Sequence, residues 1–129
     1  MLQRIQTLLL FFSSIITLVA IFFVPVFEAK STEMFAKDFL LSKVFLFIST
    51  ILSSVSIFLY KNRRKQILLC SISRTQITIS LILLLFVYKK EMYVKIELLL
   101  FAIPYVLLIL SSYFIKKDEK LVKSSDRIR

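Results

Sequence analysis

Apolar residues in this chain fall into four long, nearly unbroken runs, with the charged residues gathered in short islands between them. Residues 8–27 and 98–115 carry no charge, residues 39–60 carry only Lys43 near their start, and residues 67–88 carry only Arg74. A hydrocarbon core of about 30 Å takes about 20 residues at roughly 1.5 Å each, so every run is long enough to cross it. Lipid offers no partner to a free main-chain amide, and each run is therefore predicted to be a regular helix. The expected fold is an all-α membrane protein: an antiparallel up-and-down four-helix transmembrane bundle with short loops, residues 1–129 forming one integral membrane domain. The first run exceeds the apolar core of a signal peptide, and Phe27-Glu28-Ala29 is no small-x-small cleavage site, so it is read as a span.

Small and polar residues inside the runs predict how the helices meet. Ser13, Thr17 and Ala20 share one face of the first span, and Ser49, Ser53 and Ser56 share one face of the second. Such stripes let backbones approach closely and are expected to be packing seams within the chain. Pro104 removes a main-chain donor and is expected to kink the fourth span. The third span is the weakest. Its thirteen Leu, Ile, Val and Phe residues contribute about −4 to −8 kcal/mol on an insertion scale that charges about 2.5–3.5 kcal/mol for a central Arg, before its hydroxyls and amide are counted. Ser71, Arg74, Thr75 and Thr78 form one polar arc, expected to face the bundle so that no charge meets lipid. Arg74 is flagged as an intramembrane charge, either an anion or subunit contact or a side chain snorkelling to lipid phosphate.

Composition supports a lipid-solvated chain. Of 129 residues 58% are hydrophobic, and 18 Lys and Arg against 8 Asp and Glu give a formal net charge of +10; the mean hydropathy is +0.84. With one Cys (Cys70), no His and no Gly, internal disulfides, Cys/His metal sets and Gly-rich phosphate loops are ruled out. No acid lies within a span, which argues against a proton or cation pathway, and no base stands beside a nucleophile. The chain is thus expected to be non-enzymatic, without cofactor or metal.

Lys and Arg are unevenly shared between the two sides. Arg4, the second loop (Lys61, Arg63, Arg64, Lys65) and the tail over 116–129 (Lys116, Lys117, Lys120, Lys123, Arg127, Arg129) must lie together and hold eleven, against five in the other two loops. The richer side is expected to be cytoplasmic, placing both termini inside, with Tyr60 and Tyr113 marking that interface and Tyr88 and Tyr93 the opposite one. The second loop suits anionic headgroups. The tail, with Leu121 and Ile128 seven apart and Glu119 four before Lys123, suits either a solvated tail or a short interfacial helix. Nucleic acid is a weaker partner, because no aromatic residues interleave the basic ones.

Three segments on that face carry a resemblance: residues 1–7 (Met-Leu-Gln-Arg-Ile-Gln-Thr), Tyr60-Lys61-Asn62-Arg63 with Gln66 and Cys70, and Lys117-Asp118-Glu119-Lys120-Leu121-Val122 with Ser124, Asp126, Arg127 and Arg129. Together they resemble a Bacteroidota family of four-span membrane proteins known as domain of unknown function 4293. The resemblance covers the whole chain and implies a bacterial inner-membrane protein with no assigned activity, cofactor or partner. This chain has Ser111-Ser112 where that family usually has Ala-Asn, and it lacks the Trp that usually follows the first span.

The expected role is that of a scaffold, assembly factor or accessory subunit meeting a protein partner, a second copy or anionic lipid. Gln3, Arg4, Lys61, Asn62, Arg63, Asp118, Glu119, Asp126 and Arg127 are the candidate face, and Arg63 with Asp118 or Glu119 is the candidate lock within it. The alternative is a small solute or anion transporter working as an oligomer, with Arg74 and Pro104 on its path.

Overall fold

The computed structural model describes the chain except residues 1, 30–31, 36–37, 88–92, 95 and 129, and except the side chains of residues 2, 3, 27, 29, 32–35, 93, 94, 127 and 128. Four α-helices carry the fold: α1 (Leu2–Phe23), α2 (Leu40–Phe58), α3 (Arg63–Phe86) and α4 (Ala102–Ile128). They form a ring in which α1 packs on α2 and α4, and α3 packs on α2 and α4. All four helical segments are long and apolar enough to cross a membrane.

On each helix one set of buried positions recurs at alternating steps of four and three. On α1 they are Gln6, Leu10, Ser13, Thr17 and Ala20; on α2, Ser42, Leu46, Ser49, Ser53 and Ser56. On α3 they are Gln66, Cys70, Ser73, Ile77, Ser80 and Leu84, and on α4 Pro104, Leu108, Ser111 and Ile115. An average step of 3.5 keeps one seam of each helix facing its neighbours along the bundle. Eleven of these twenty seam residues are hydroxyl-bearing or amide side chains, the reverse of a water-soluble bundle. In lipid the apolar side chains face outward at no cost, and small polar residues supply close approach and hydrogen bonds inside.

The α2–α3 seam shows this most fully. Ser42 pairs with Ser80, Ser49 with Ser73, and Ser56 with the Gln66 carbonyl, each pair one seven-residue step from the next. Across α1 and α4, Ser13 Oγ donates to the Pro104 carbonyl at 3.2 Å and Gln6 Nε2 to the Phe114 carbonyl at 3.2 Å. The Ser13-Thr17-Ala20 and Ser49-Ser53-Ser56 stripes are thus buried seams inside the chain.

The helix ends differ from the sequence expectation for identifiable reasons. α1 stops at Phe23 rather than continuing to residue 27. Pro25 disfavours helical geometry at Val24, and the chain instead enters β1 (Pro25–Ala29). α3 begins at Arg63, four residues before the apolar run, because Asn62 caps it: its Oδ1 accepts from the Lys65 amide at 3.4 Å. Before α4, Ile96–Phe101 winds as a 3-10 helix. Pro104, expected to kink the fourth span, falls in the first turn of α4, just after the change from 3-10 to α geometry, where a missing amide donor leaves little unpaired. α4 then runs on to Ile128, making the tail a helical continuation of the fourth span.

The loops at the end remote from the termini contain a small sheet that the sequence did not announce. β1 pairs antiparallel with β2 (Thr32–Phe35) and with β3 (Tyr93–Val94), in the order β2-β1-β3. A bulge separates Pro25 from Phe27, and Val26 is fully buried beside it. The sheet ties the α1–α2 connection to the α3–α4 connection and satisfies main-chain groups that a loose loop would leave to solvent.

Candidate functional site at the charged end of the bundle

The first turns of α1, the α2–α3 turn and the last turns of α4 meet at one end of the ring. The Gln6–Phe114 bond fixes the first and last of these together. The α2–α3 turn is tight, with the Asn62 amide donating to the Leu59 carbonyl at 3.0 Å, and so presents Lys61, Arg63 and Arg64 in a short arc.

Two ion pairs join this arc to α4. Arg63 Nε and Asp118 Oδ2 are 3.0 Å apart, both side chains largely covered; Arg64 Nε and Glu119 Oε1 are 3.8 Å apart, with Arg64 in solvent. Lys123 Nζ approaches the same Glu119 oxygen at 3.2 Å, one helical turn on. A charge-assisted hydrogen bond of the first kind contributes about 1.5–3 kcal/mol, whereas a solvent-exposed pair contributes about 0–1 kcal/mol. Arg63–Asp118 is therefore the lock and Glu119 the adjustable partner.

Between these elements lies a shallow groove of about 280 Å³, lined by Lys61, Asn62, Arg63, Arg64, Glu119, Val122 and Lys123. Its cations outnumber its single acid, so its surplus is positive, which suits an anionic group on a partner or a lipid. Around the outer side of α4, Tyr113, Lys116, Lys117, Lys120, Leu121 and Ser124 line a second and more apolar recess. No group of three or more acidic, His or Cys side chains among the described residues is disposed to hold a metal.

Of the candidate residues, the structure brings together Lys61, Asn62, Arg63, Asp118 and Glu119. Asn62 is already engaged as a helix cap. Arg4 and Asp126 are exposed and do not line this groove. The side chains of Gln3 and Arg127 lie outside the described set, as do Tyr88 and the side chain of Tyr93; Tyr60 and Tyr113 are exposed at the charged end. Sequence reasoning did not single out Arg64 and Lys123 as groove residues. Their signal was spacing: Arg64 follows Arg63, and Lys123 stands one turn beyond Glu119.

Arg74 requires a correction. The arc Ser71, Arg74, Thr75 and Thr78 does not face the bundle: Ser71, Thr75 and Thr78 are exposed and Arg74 is half-buried. The interior of α3 is already occupied by the seam from Gln66 to Leu84, which must meet the serines of α2. Cys70 sits in that seam, fully buried, with Ser56 Oγ 3.5 Å from its sulfur.

Four helices of spanning length, ringed around a hydroxyl-lined seam and joined by short connections, fit a small multi-pass membrane protein. The chain matches, over residues 2–128, the model of the family described as "Domain of unknown function (DUF4293)", and it belongs to that family. No curated protein and no solved structure matches it.

Proposed function

We propose that the protein is a non-enzymatic accessory subunit, scaffold or assembly factor of a bacterial inner membrane, acting through the charged end of its bundle. In this reading the charged end faces the cytoplasm, both termini with it. The observation that carries the reading is the groove between the α2–α3 turn and α4, where a covered Arg63–Asp118 pair holds the walls and leaves Lys61, Arg64 and Lys123 open to solvent. A rigid, locally cationic groove beside a span is suited to an acidic segment of a partner or to anionic headgroups.

The test is chemical crosslinking in native membranes, with the wild-type chain compared with Lys61→Ala/Arg64→Ala/Lys123→Ala. These three side chains carry charge in the groove and take no part in the Arg63–Asp118 pair, which the variant keeps. The reading expects crosslinked partners or anionic lipid to fall away in the variant. Unchanged recovery together with an unchanged phenotype would sink it.

A further inference from the structure

The outer faces of the four helices are not alike. α1 turns Leu8, Phe11, Phe12, Ile15, Val19 and Phe22 outward; α2 turns Leu41, Val44, Ile48, Ile51 and Val55; α4 turns Ile103, Val106, Ile109 and Leu110. These are the side chains lipid accepts. α3 also turns Leu68, Ile79, Ile82 and Phe86 outward, but among them it exposes Ser71, Thr75 and Thr78, with the half-buried Arg74 between them. The Nε of Arg74 is sealed from solvent and has no hydrogen-bond partner. Thr75 and Thr78 return their hydroxyls to the Ile72 and Arg74 carbonyls of their own helix, at 2.7 and 3.0 Å, so small side chains and a charge are what they leave at the surface.

We propose that this stripe of α3 docks a membrane-spanning helix of a different protein, one that carries a carboxylate within its span. Arg74 lies inside the apolar run 67–88, seven residues and about 10 Å of helix from its charged end. The acids of α4 nearest to α3, Asp118 and Glu119, are held at Arg63 and Arg64, about 15 Å of helix away. All eight acids of the chain lie in loops, at span margins or in the tail. A second copy, parallel or antiparallel, therefore has no acid at the depth of Arg74, and in a parallel pair it would set two guanidinium groups against each other. A carboxylate that pairs with Arg74 therefore comes from another chain in this proposal. Ser71, Thr75 and Thr78 suit such a neighbour, because small side chains allow two backbones to approach and strengthen the contact around the charge. This proposal concerns a different surface from the charged groove, and either can fail alone.

The full-length chain carrying a photoreactive benzophenone residue in place of Ile79 or Ile82, beside the stripe, is irradiated in its native membrane. The expected product is an adduct with another integral membrane protein that has an Asp or Glu within a span. Its yield should fall about tenfold or more in Arg74→Leu, since removing one member of a desolvated pair leaves the other unpaired. Arg74→Leu makes the span more apolar, so loss of the adduct cannot be put down to failed insertion. Arg74→Glu combined with Arg in place of the partner's acid should restore the yield. Adducts with a second copy alone, with lipid alone, or with a protein whose capture is indifferent to Arg74→Leu would each overturn the proposal.

Discussion

The hydroxyls of Ser49 and Ser73 lie 2.7 Å apart between α2 and α3, and each also lies close to the other's main-chain carbonyl, at 3.1 and 2.9 Å. The pair sits midway along a seam whose other rungs are Ser42 with Ser80 and Ser56 with Gln66. What the rung supplies is mainly proximity: a serine side chain is small enough for the two backbones to approach until hydroxyl reaches carbonyl.

That view separates two substitutions at one position. Ser49→Ala should cost little, about 0.6 kcal/mol, as interhelical hydrogen bonds in membranes average no more. Ser49→Leu forces α2 and α3 apart and should cost about 1–3 kcal/mol. Reversible unfolding in mild detergent or bicelles checks both. Equal costs would mean that the hydrogen bond, not the close approach, holds the seam.

The Arg63–Asp118 pair anchors the part of α4 that continues beyond the apolar run. Asp118→Ala should loosen residues 116–128 and raise their amide exchange, leaving α1 to α3 unchanged. Glu119→Ala should do much less, since its partners Arg64 and Lys123 remain largely in solvent. The double exchange Arg63→Asp/Asp118→Arg should recover part of the lost protection.

Pro104→Ala should change stability by less than about 1 kcal/mol, because the proline occupies the first turn of α4. Leu108→Pro, one turn further in, should cost about 3 kcal/mol or more by removing an interior donor and displacing a core side chain. Thermal unfolding in detergent distinguishes the two.

Cys70, the only thiol, is fully buried against Ser56. A thiol reagent should therefore modify it only after unfolding, at a rate that follows the opening of the α2–α3 seam. Labelling of the folded protein at the rate of a free thiol would contradict the packing of that seam.

Much of the fold was legible because span length and small-residue spacing act locally. The Ser13-Thr17-Ala20 and Ser49-Ser53-Ser56 stripes are readable as seams from spacing alone, and both are buried seams. The same reasoning misread α3, which carries two polar faces: Gln66-Ser73-Ser80 and Ser71-Thr75-Thr78. Only the matching seven-residue steps of Ser42, Ser49 and Ser56 on α2 decide which turns inward, and the cost of exposing Arg74 pointed to the wrong one. The sheet was hidden for a different reason. β3 is two residues long and pairs with β1 across more than sixty residues of sequence, leaving no alternation to detect. At the charged end, Arg63 with Asp118 could be foreseen from charge and topology, whereas the groove they enclose depends on α4 remaining helical past residue 115.

The proposed cytoplasmic location of the charged end is tested most directly by single cysteines placed in a Cys70→Ser background. In right-side-out membrane vesicles, an impermeant thiol reagent should label Glu28→Cys and leave Lys61→Cys and Ser124→Cys unmodified until the membrane is opened. Labelling of Lys61→Cys or Ser124→Cys in sealed vesicles, with Glu28→Cys protected, would contradict it.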